Sequence, residues 1–506
     1  MGMQKKKNRT KQVFSLAALL LMLITVFSCF GAAAASENEE QSNGTGKKYI
    51  IAMDTTFAPF EFEDSQGNRV GIDVELLEAI AKDQGFEYEA RAIGFDAALQ
   101  AVESGQADGI LAGCSITEER QKKMDFSTPY FDSGISMAVS KDNDSIQSYE
   151  DLRGKKVAVK VGTEGATLAN KLSEQYGFSV VTFDDSANMY EDVKLGNTAA
   201  CFEDYPVLGY AISQDIGLKL VGEKEAGSSY GLGVKKGQNA ELLQMFNDGL
   251  ENVKASGEYQ RILDSYISSG DGTAANVESN EGVNFFTLLG TTFPRFVQAA
   301  GVTLWITAVS LVFEVVLGLL FCALRLSKYK VLHAITRVYL WVIRGTPVIV
   351  QAFMIYFGIP KLLGFTMPVE VASIITLTLN AGAYLSEIFR SGIEAVDVGQ
   401  MEAARSLGLP YMKTMQKVIL PQAARIVIPS VINQFIITLK DSSILSVIGL
   451  AELTKVGKAI VAQNLESFNT YLILAIYYLI LVSLLTALSA VVERRLRRGK
   501  LKGKGN

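Results

Sequence analysis

EAARSLGLPYMKTMQKVILPQ, residues 402–422, lies between long apolar runs, yet it is polar, amphipathic and punctuated. Glu402, Ala403 and Ala404 open it, Gly408 and Pro410 break it, and Leu420 and Pro421 close it just before the next apolar run. Gly and Pro are the residues that interrupt a helix most strongly. A helix–break–helix on a membrane face reads as a docking surface for something outside this chain. An ordinary helical hairpin has the same local pattern, so the rest of the chain must decide.

The 506 residues amount to about three domains of material. Hydrophobic residues make up 49% and the mean hydropathy is +0.21, too apolar for an ordinary soluble protein. The excess is uneven. Residues 40–280 read as a soluble acidic domain and residues 296–492 as membrane, so the net charge of −5 averages two regimes. No basic domain is present to support a nucleic-acid partner. Cys29 and Cys322 lie in apolar runs, and Cys114 and Cys201 read as two buried free thiols. None has metal-ligand spacing, so no metal site is expected. His333 is the one histidine, which excludes a multi-histidine metal site within one chain, and it lies in the membrane part, so residues 40–280 hold no histidine for a His-dependent triad.

The N-terminus combines Lys5, Lys6, Lys7, Arg9 and Lys11 with an apolar run over 13–30 and small residues at 32–36. This predicts a signal peptide over 1–36, with an uncleaved anchor as the alternative. A polar linker over 37–47 follows. From residue 48 to 270, strands and helices alternate: strand at 49–53, helix at 74–84, strand at 86–93, helix at 97–104. The same alternation resumes at 155–195. Extended runs at 126–141 and 229–234 connect the two units. The pattern predicts an α/β two-lobed clamp, with lobe 1 over about 48–135 and 228–268 and lobe 2 over about 140–225. Ligands of such sheets lie at strand C-ends.

After a Gly- and Asn-rich linker at 271–284, residues 285–495 read as an all-α membrane domain of five spans, and 496–506 as a basic cytoplasmic tail. The spans are placed at 297–324, 335–359, 369–389, from 426, and at 471–492. The second is interrupted by Arg344-Gly345-Thr346-Pro347. With the clamp outside the cell, spans one, three and five exit inward. Arg325, Lys328 and Lys330 follow the first, and seven Lys/Arg follow the fifth. Both agree with the positive-inside rule, and the same parity puts residues 402–422 in the cytoplasm. Charges within spans, at Glu314, Arg344, Glu387 and Lys440, are costly in lipid and mark pathway or interface candidates.

Residues 50–270 resemble the binding proteins of polar amino-acid ABC importers, a type II periplasmic-binding-protein-like fold. The matching segments are AMDTTFAPFEF (52–62), GIDVELLEAIAK (71–82), LAGCSITEERQKKMDFSTPYF (111–131), DLRGKKVAVKVGT (151–163) and FEDYP (202–206). RGTPVIVQAFMIYFG (344–358), NAGAYLSEIFRSGIEAV (380–396), QMEAARSLG (400–408) and LKDSSILSVIG (439–449) resemble the five-span permeases of histidine/glutamine-type importers. The 402–421 stretch resembles their coupling loop, E-A-A, three residues, G, nine residues, I-x-L-P, with Val418 in place of the Ile. The whole is therefore identified as a permease of this type fused to its substrate-binding domain.

An amino acid needs a cation, an anion and apolar walls. Arg120 suits the carboxylate because its planar fork meets both oxygens. The N–H groups and hydroxyl around Gly113 and Ser115 are expected to complete that site. Asp204 suits the ammonium and matches the family's ammonium ligand. The resemblance further implies Phe57 and Phe95 as the aromatic sandwich, Asp54 and Lys160 at the side-chain end, and Thr163 as a carboxylate contact. Lys160 points to glutamine or glutamate, whereas Glu203 replaces a histidine of glutamine-specific relatives. Glutamine is the first expectation, with glutamate or a basic amino acid as the alternative.

The chain contains no G-x-x-x-x-G-K-[ST] loop. The expectation is thus a non-enzymatic transporter with no cofactor of its own, ATP and Mg being used by a partner ATPase docked at 402–421. One permease domain makes half a pathway, which implies a homodimer. A ligand-gated channel would want a filter such as T-V-G-Y-G and spans inserted within the clamp. A periplasmic enzyme would need no spans.

Overall fold

The computed structural model describes residues 47–502 apart from 55, 65–66, 268–283, 328 and 465–466. The expected signal peptide, nearly all of both linkers and the last residues of the tail lie outside the described residues.

The first lobe begins with β1 (Lys48–Met53), whose last three side chains are buried. A two-stranded ribbon, β2 (Phe62–Glu63) and β3 (Arg69–Val70), leads into α1 (Ile72–Gln84). That helix buries Ile72, Leu76, Leu77 and Ile80 on one face and ends at Gly85, whose left-handed backbone returns an N–H to the Ala81 carbonyl. β4 (Glu87–Ala92), α2 (Phe95–Ser104), β5 (Gly109–Ile110), the short α3 (Glu118–Gln121) and β6 (Met124–Phe126) follow. The second lobe holds β7 (Phe131–Ser140), β8 (Lys156–Lys160), α4 (Glu164–Tyr176), β9 (Ser179–Phe183), α5 (Ser186–Lys194), β10 (Ala200–Asp204), α6 (Tyr205–Ser213) and β11 (Leu218–Tyr230). β12 (Gly233–Lys235), α7 (Ala240–Ala255) and α8 (Glu258–Tyr266) return to the first lobe.

The first sheet has the order β4-β1-β5-β12-β6 and the second β11-β7-β10-β8-β9. β7 and β11 pair from Leu218↔Ser140 to Tyr230↔Phe131 within the second sheet, with register shifts between Val221 and Glu225 and between Ala226 and Ser229. The hinge therefore sits at 127–130 and 231–232, a few residues nearer lobe 1 than the expected boundaries.

The membrane part begins with α9 (Phe285–Arg325), a 41-residue helix capped by the Asn284 side chain. At 1.5 Å per residue it is about 60 Å long, twice the hydrocarbon thickness, so the lead-in at 285–296 continues the first span beyond the membrane. α10 (Lys330–Gly345) and α11 (Val348–Leu363) form a pair bent by 109°. Pro347 holds Thr346 extended, at φ −120° and ψ 143°, which ends the first of them. α12 (Val369–Glu394), α13 (Val398–Ser406), α14 (Tyr411–Ile448), α15 (Leu453–Asn464) and α16 (Ser467–Lys502) complete the chain. Among the described residues four helices are long and apolar enough to span, or five when the bent pair counts as one. The exposed apolar side chains Trp305, Val312, Leu319, Leu479, Leu484 and Leu488 are those of a lipid-facing surface. Small residues allow close helix crossings: a methyl on Gly392 would lie 2.0 Å from Val427, and one on Gly318 2.8 Å from Leu385.

One expectation fails here. Leu420 and Pro421 do not close the polar stretch, because α14 already runs from Tyr411 through them. The turn at Met415–Ile419 is a π-turn, whose wider spacing accommodates the proline ring one turn later.

The first lobe sits on one end of the helical bundle. Arg295 of α9 pairs with Glu63 of β2, the Gln106 side chain bonds the backbone of Phe365 and Met367, and Lys455 of α15 donates to the Ala92 carbonyl. Apolar residues of α2 form one continuous cluster with Ile355, Tyr356, Leu445 and Ile448. Residues 395–410 lie at the far end of α12 from that contact.

Gly71 has φ +127°, and an added Cβ would stand 2.3 Å from the Phe60 carbonyl oxygen. Gly71→Ala should destabilise the clamp by about 2 kcal/mol or more, against about 1 kcal/mol for Gly85→Ala, where the space is open. Thermal unfolding of the two variants checks the difference.

Candidate functional site

The cleft is built where strands of the two sheets end. Asp54 follows β1 in lobe 1, and Lys160 ends β8 in lobe 2. Their side chains are both 1% exposed and form an ion pair across the cleft. Burial opposes the charge on Lys160, but the carboxylates of Asp54 and Glu203 outweigh it and hold its pKa above the ordinary value. The ammonium also stands 5.4 Å from the centre of the Phe57 ring.

Arg120 crosses the cleft as well. It donates to the Ser115 carbonyl at 2.8 Å in its own lobe and to the Gly162 carbonyl at 3.0 Å in the other. Its guanidinium lies 5.0 Å from the Phe95 ring centre. These contacts make the conformation a closed clamp. A substrate carboxylate would take over donors that now serve backbone carbonyls.

Asp204 ends β10. One carboxylate oxygen accepts from the Tyr230 hydroxyl at 2.8 Å, and the other, also buried, has no hydrogen-bond partner. Burial and the neighbouring Glu203 push its pKa up to about 8. Glu203 is itself raised by burial, against the pull of Lys160. It accepts from the Ser186 hydroxyl at 2.7 Å. Glu61, fully buried, is pushed well above the carboxylate range by burial, Asp73 and Asp54. This part of the clamp thus holds more acid than base, and Asp204, Glu61 and Asp73 each keep one buried carboxylate oxygen without a hydrogen-bond partner.

The structure brings Asp54, Phe57, Phe95, Ser115, Arg120, Lys160 and Asp204 around one cleft, but two expected contacts are already in use. The Gly113 N–H donates to the buried Asp73 carboxylate at 2.8 Å, so it is not directed at a substrate carboxylate. What Gly113 supplies is room: a Cβ there would lie 2.1 Å from the Phe57 ring. The Thr163 hydroxyl accepts from the Ala166 N–H and donates to the Lys160 carbonyl, capping α4 and tying it to β8. Tyr230, Asp73 and Ser186 were missed. Tyr230 stands in a Gly- and Ser-rich extended run, and only its aromatic character there could have flagged it.

A second cavity, of about 810 Å³, lies in the membrane domain between the end of α9, α10 and α12. Arg325, Arg337, Arg344, Tyr384, Glu387 and Arg390 line it, with Glu387 paired to both Arg325 and Arg390. Arg344 and Glu387 therefore share one polar cavity. Glu314 is buried elsewhere, accepting from Thr438 of α14.

At the other end, α13 carries Glu402, Ala403 and Ala404. Of these only Ala404 is buried, and Met401 of the same helix packs on a small cluster of Val396, Ile419 and Ala423. Gly408 has φ +85° with open space around it. Leu407 is 85% exposed and Val398 69%, while Tyr411 and Met412 are also exposed. This is an apolar knuckle beside a sharp turn.

Residues 49–269 match the family described as bacterial extracellular solute-binding proteins, family 3. Residues 314–498 match the binding-protein-dependent transport system inner membrane component. The arginine transport system permease protein ArtQ of Bacillus subtilis is 37% identical over 204 residues, 40% of this chain and 93% of that protein. The glutamine transport system permease protein GlnP of Escherichia coli K12 is 36% identical over 205 residues, 40% of this chain and 94% of that protein. Among solved structures, substrate binding domain 2 of Lactococcus lactis GlnP in its open conformation is 42% identical, covering 45% of this chain and 98% of that one, with a TM-score of 0.36. An ancestral arginine-binding protein bound to arginine is 40% identical over 43% of this chain and 97% of that one, with a TM-score of 0.41.

Closing the empty clamp at neutral pH must bury the Asp204 charge or take up a proton, because its ordinary value near 4 rises to about 8 in the closed form. That cost is present at neutral pH and fades as the pH falls. Interlobe fluorescence transfer should therefore show the ligand-free closed fraction growing from pH 8 to pH 5. Asp204→Asn should blunt that change and weaken amino-acid binding by about 2–5 kcal/mol.

Proposed function

The chain belongs to the family of binding-protein-dependent ABC importers of polar amino acids, with binding and permease domains in one polypeptide, and from that premise we propose that it captures glutamine outside the cell and passes it through its own membrane domain. The observation that carries the substrate reading is the buried Lys160–Asp54 pair. It holds a donor and an acceptor side by side, the complement of a primary amide. An arginine side chain would meet the acids Asp54 and Glu203 but would also face the Lys160 ammonium. Glu203 keeps a basic amino acid as the second reading. The ammonium goes to the free oxygen of Asp204 and the carboxylate to Arg120.

The clamp faces outward and residues 395–410 face the cytoplasm. Two observations support this orientation. The clamp rests on the end formed by the start of α9, the 365–367 loop and α15. The cationic exits after α9 and along the last helix lie at the other end. The exposed knuckle of Val398, Leu407, Tyr411 and Met412 suits a protein partner. That partner is an ATPase subunit using ATP and Mg, and the chain itself performs no catalysis. The membrane domain works as a homodimer, with the polar cavity at Arg344 and Glu387 on the pathway side.

Two measurements test this reading. Calorimetric titration of the chain should show glutamine binding more tightly than arginine, and the reverse order would replace the substrate assignment. Gly408→Arg adds a long cation where the backbone has a positive φ. It should leave amino-acid binding unchanged while removing substrate-stimulated ATP hydrolysis by the partner. Normal stimulation in that variant would move the coupling site elsewhere.

A further inference from the structure

The two lobes meet the permease very differently. Lobe 1 is held by the Arg295–Glu63 ion pair, by two hydrogen bonds between Gln106 and the 365–367 loop, and by Lys455, which donates to Ala92 and to Gly449. Apolar packing is added to these, with Ile93 seated directly on Gly449, where a Cβ would come within 2.2 Å. Lobe 2 meets the permease at α5, which packs beside α15 and α16. There Asn188 and the hydroxyl of Tyr471, at the start of α16, lie 3.3 Å apart.

The place of α5 gives that small contact meaning. Its first residue, Ser186, bonds Glu203 inside the cleft, and its cap, Asp185, accepts from the Asn188 N–H at 2.9 Å. Asn188 is thus within one turn of the cleft lip. The closed state is held by Lys160–Asp54 and Arg120–Gly162, and the hinge lies at 127–130 and 231–232. If lobe 1 stays on its broad apolar seat, opening about that hinge carries α5 away from α16.

We propose that lobe 1 remains docked on the permease throughout the cycle and that closure is read through lobe 2, at the contact of Asn188 with Tyr471. Lobe 1 works as a fixed base. The polar contact of lobe 2 has little energy of its own, which suits a signal that must form and break in each turnover. The inference rests on the reading of the chain as a ligand-closed clamp feeding its own permease.

Two cysteine pairs in the full chain test it, each probed with a short thiol crosslinker in detergent: Asn188→Cys with Tyr471→Cys, and Glu63→Cys with Arg295→Cys. The parent chain gives the background. The amino acid added is the one that calorimetry shows to bind, so an error in the glutamine assignment appears in calorimetry and not here. The lobe 2 pair should crosslink much more with the amino acid than without it, and the lobe 1 pair equally in both. A lobe 2 pair indifferent to ligand, or a lobe 1 pair that needs it, overturns the inference. Tyr471→Phe supplies a second readout with the ATPase partner. Amino-acid affinity and basal hydrolysis should be unchanged while substrate stimulation falls by about fivefold or more. An equal fall in basal and stimulated rates would mark a structural role and count against the inference.

Discussion

A buried ammonium from one lobe and a buried carboxylate from the other meet across the cleft at Lys160 and Asp54. Neither charge is stable in the interior by itself, since removing one partner of such a pair leaves an uncompensated buried charge. The lobes must therefore close together or keep both groups wet. The same demand falls on Asp204, whose second oxygen is buried and without a partner in the closed form. Under the proposed function the amino acid's ammonium answers that demand, and ligand binding and closure are then coupled through desolvation.

Most of the clamp was legible in the sequence because its elements satisfy local rules. The apolar spacing of α1, the αL glycine at Gly85 and the strand–helix alternation all point to the observed lobes. Asp204 and Arg120 could be picked out by charge type and motif, and both stand in the cleft. The partners of the Gly113 N–H and the Thr163 hydroxyl were not legible, because sequence shows a donor but not which acceptor it already serves. Tyr230 was hidden for a related reason. It ends β11, paired with Phe131 of β7 and bridged to Ser115 of lobe 1, and neither contact shows in the local sequence.

The membrane part was legible as spans but not in its breaks. Thr346-Pro347 looked like an interruption of one span and is a bend of 109°. Pro421 looked like a helix end and lies inside a helix, because a π-turn absorbs it. The seat of lobe 1 was invisible. α2 has the apolar face of any core helix, and nothing local says that part of that face meets Ile355 and Leu445, more than 250 residues away. That seat relates the clamp to the membrane domain, and it leaves the knuckle at Leu407 exposed at the far end.

Uptake of labelled glutamine into vesicles holding this chain and a partner ATPase tests the central claim most directly. With ATP and Mg available to the ATPase, and with no separate binding protein added, glutamine should accumulate against its gradient. Accumulation without ATP, or only after a soluble binding protein is supplied, would contradict the account.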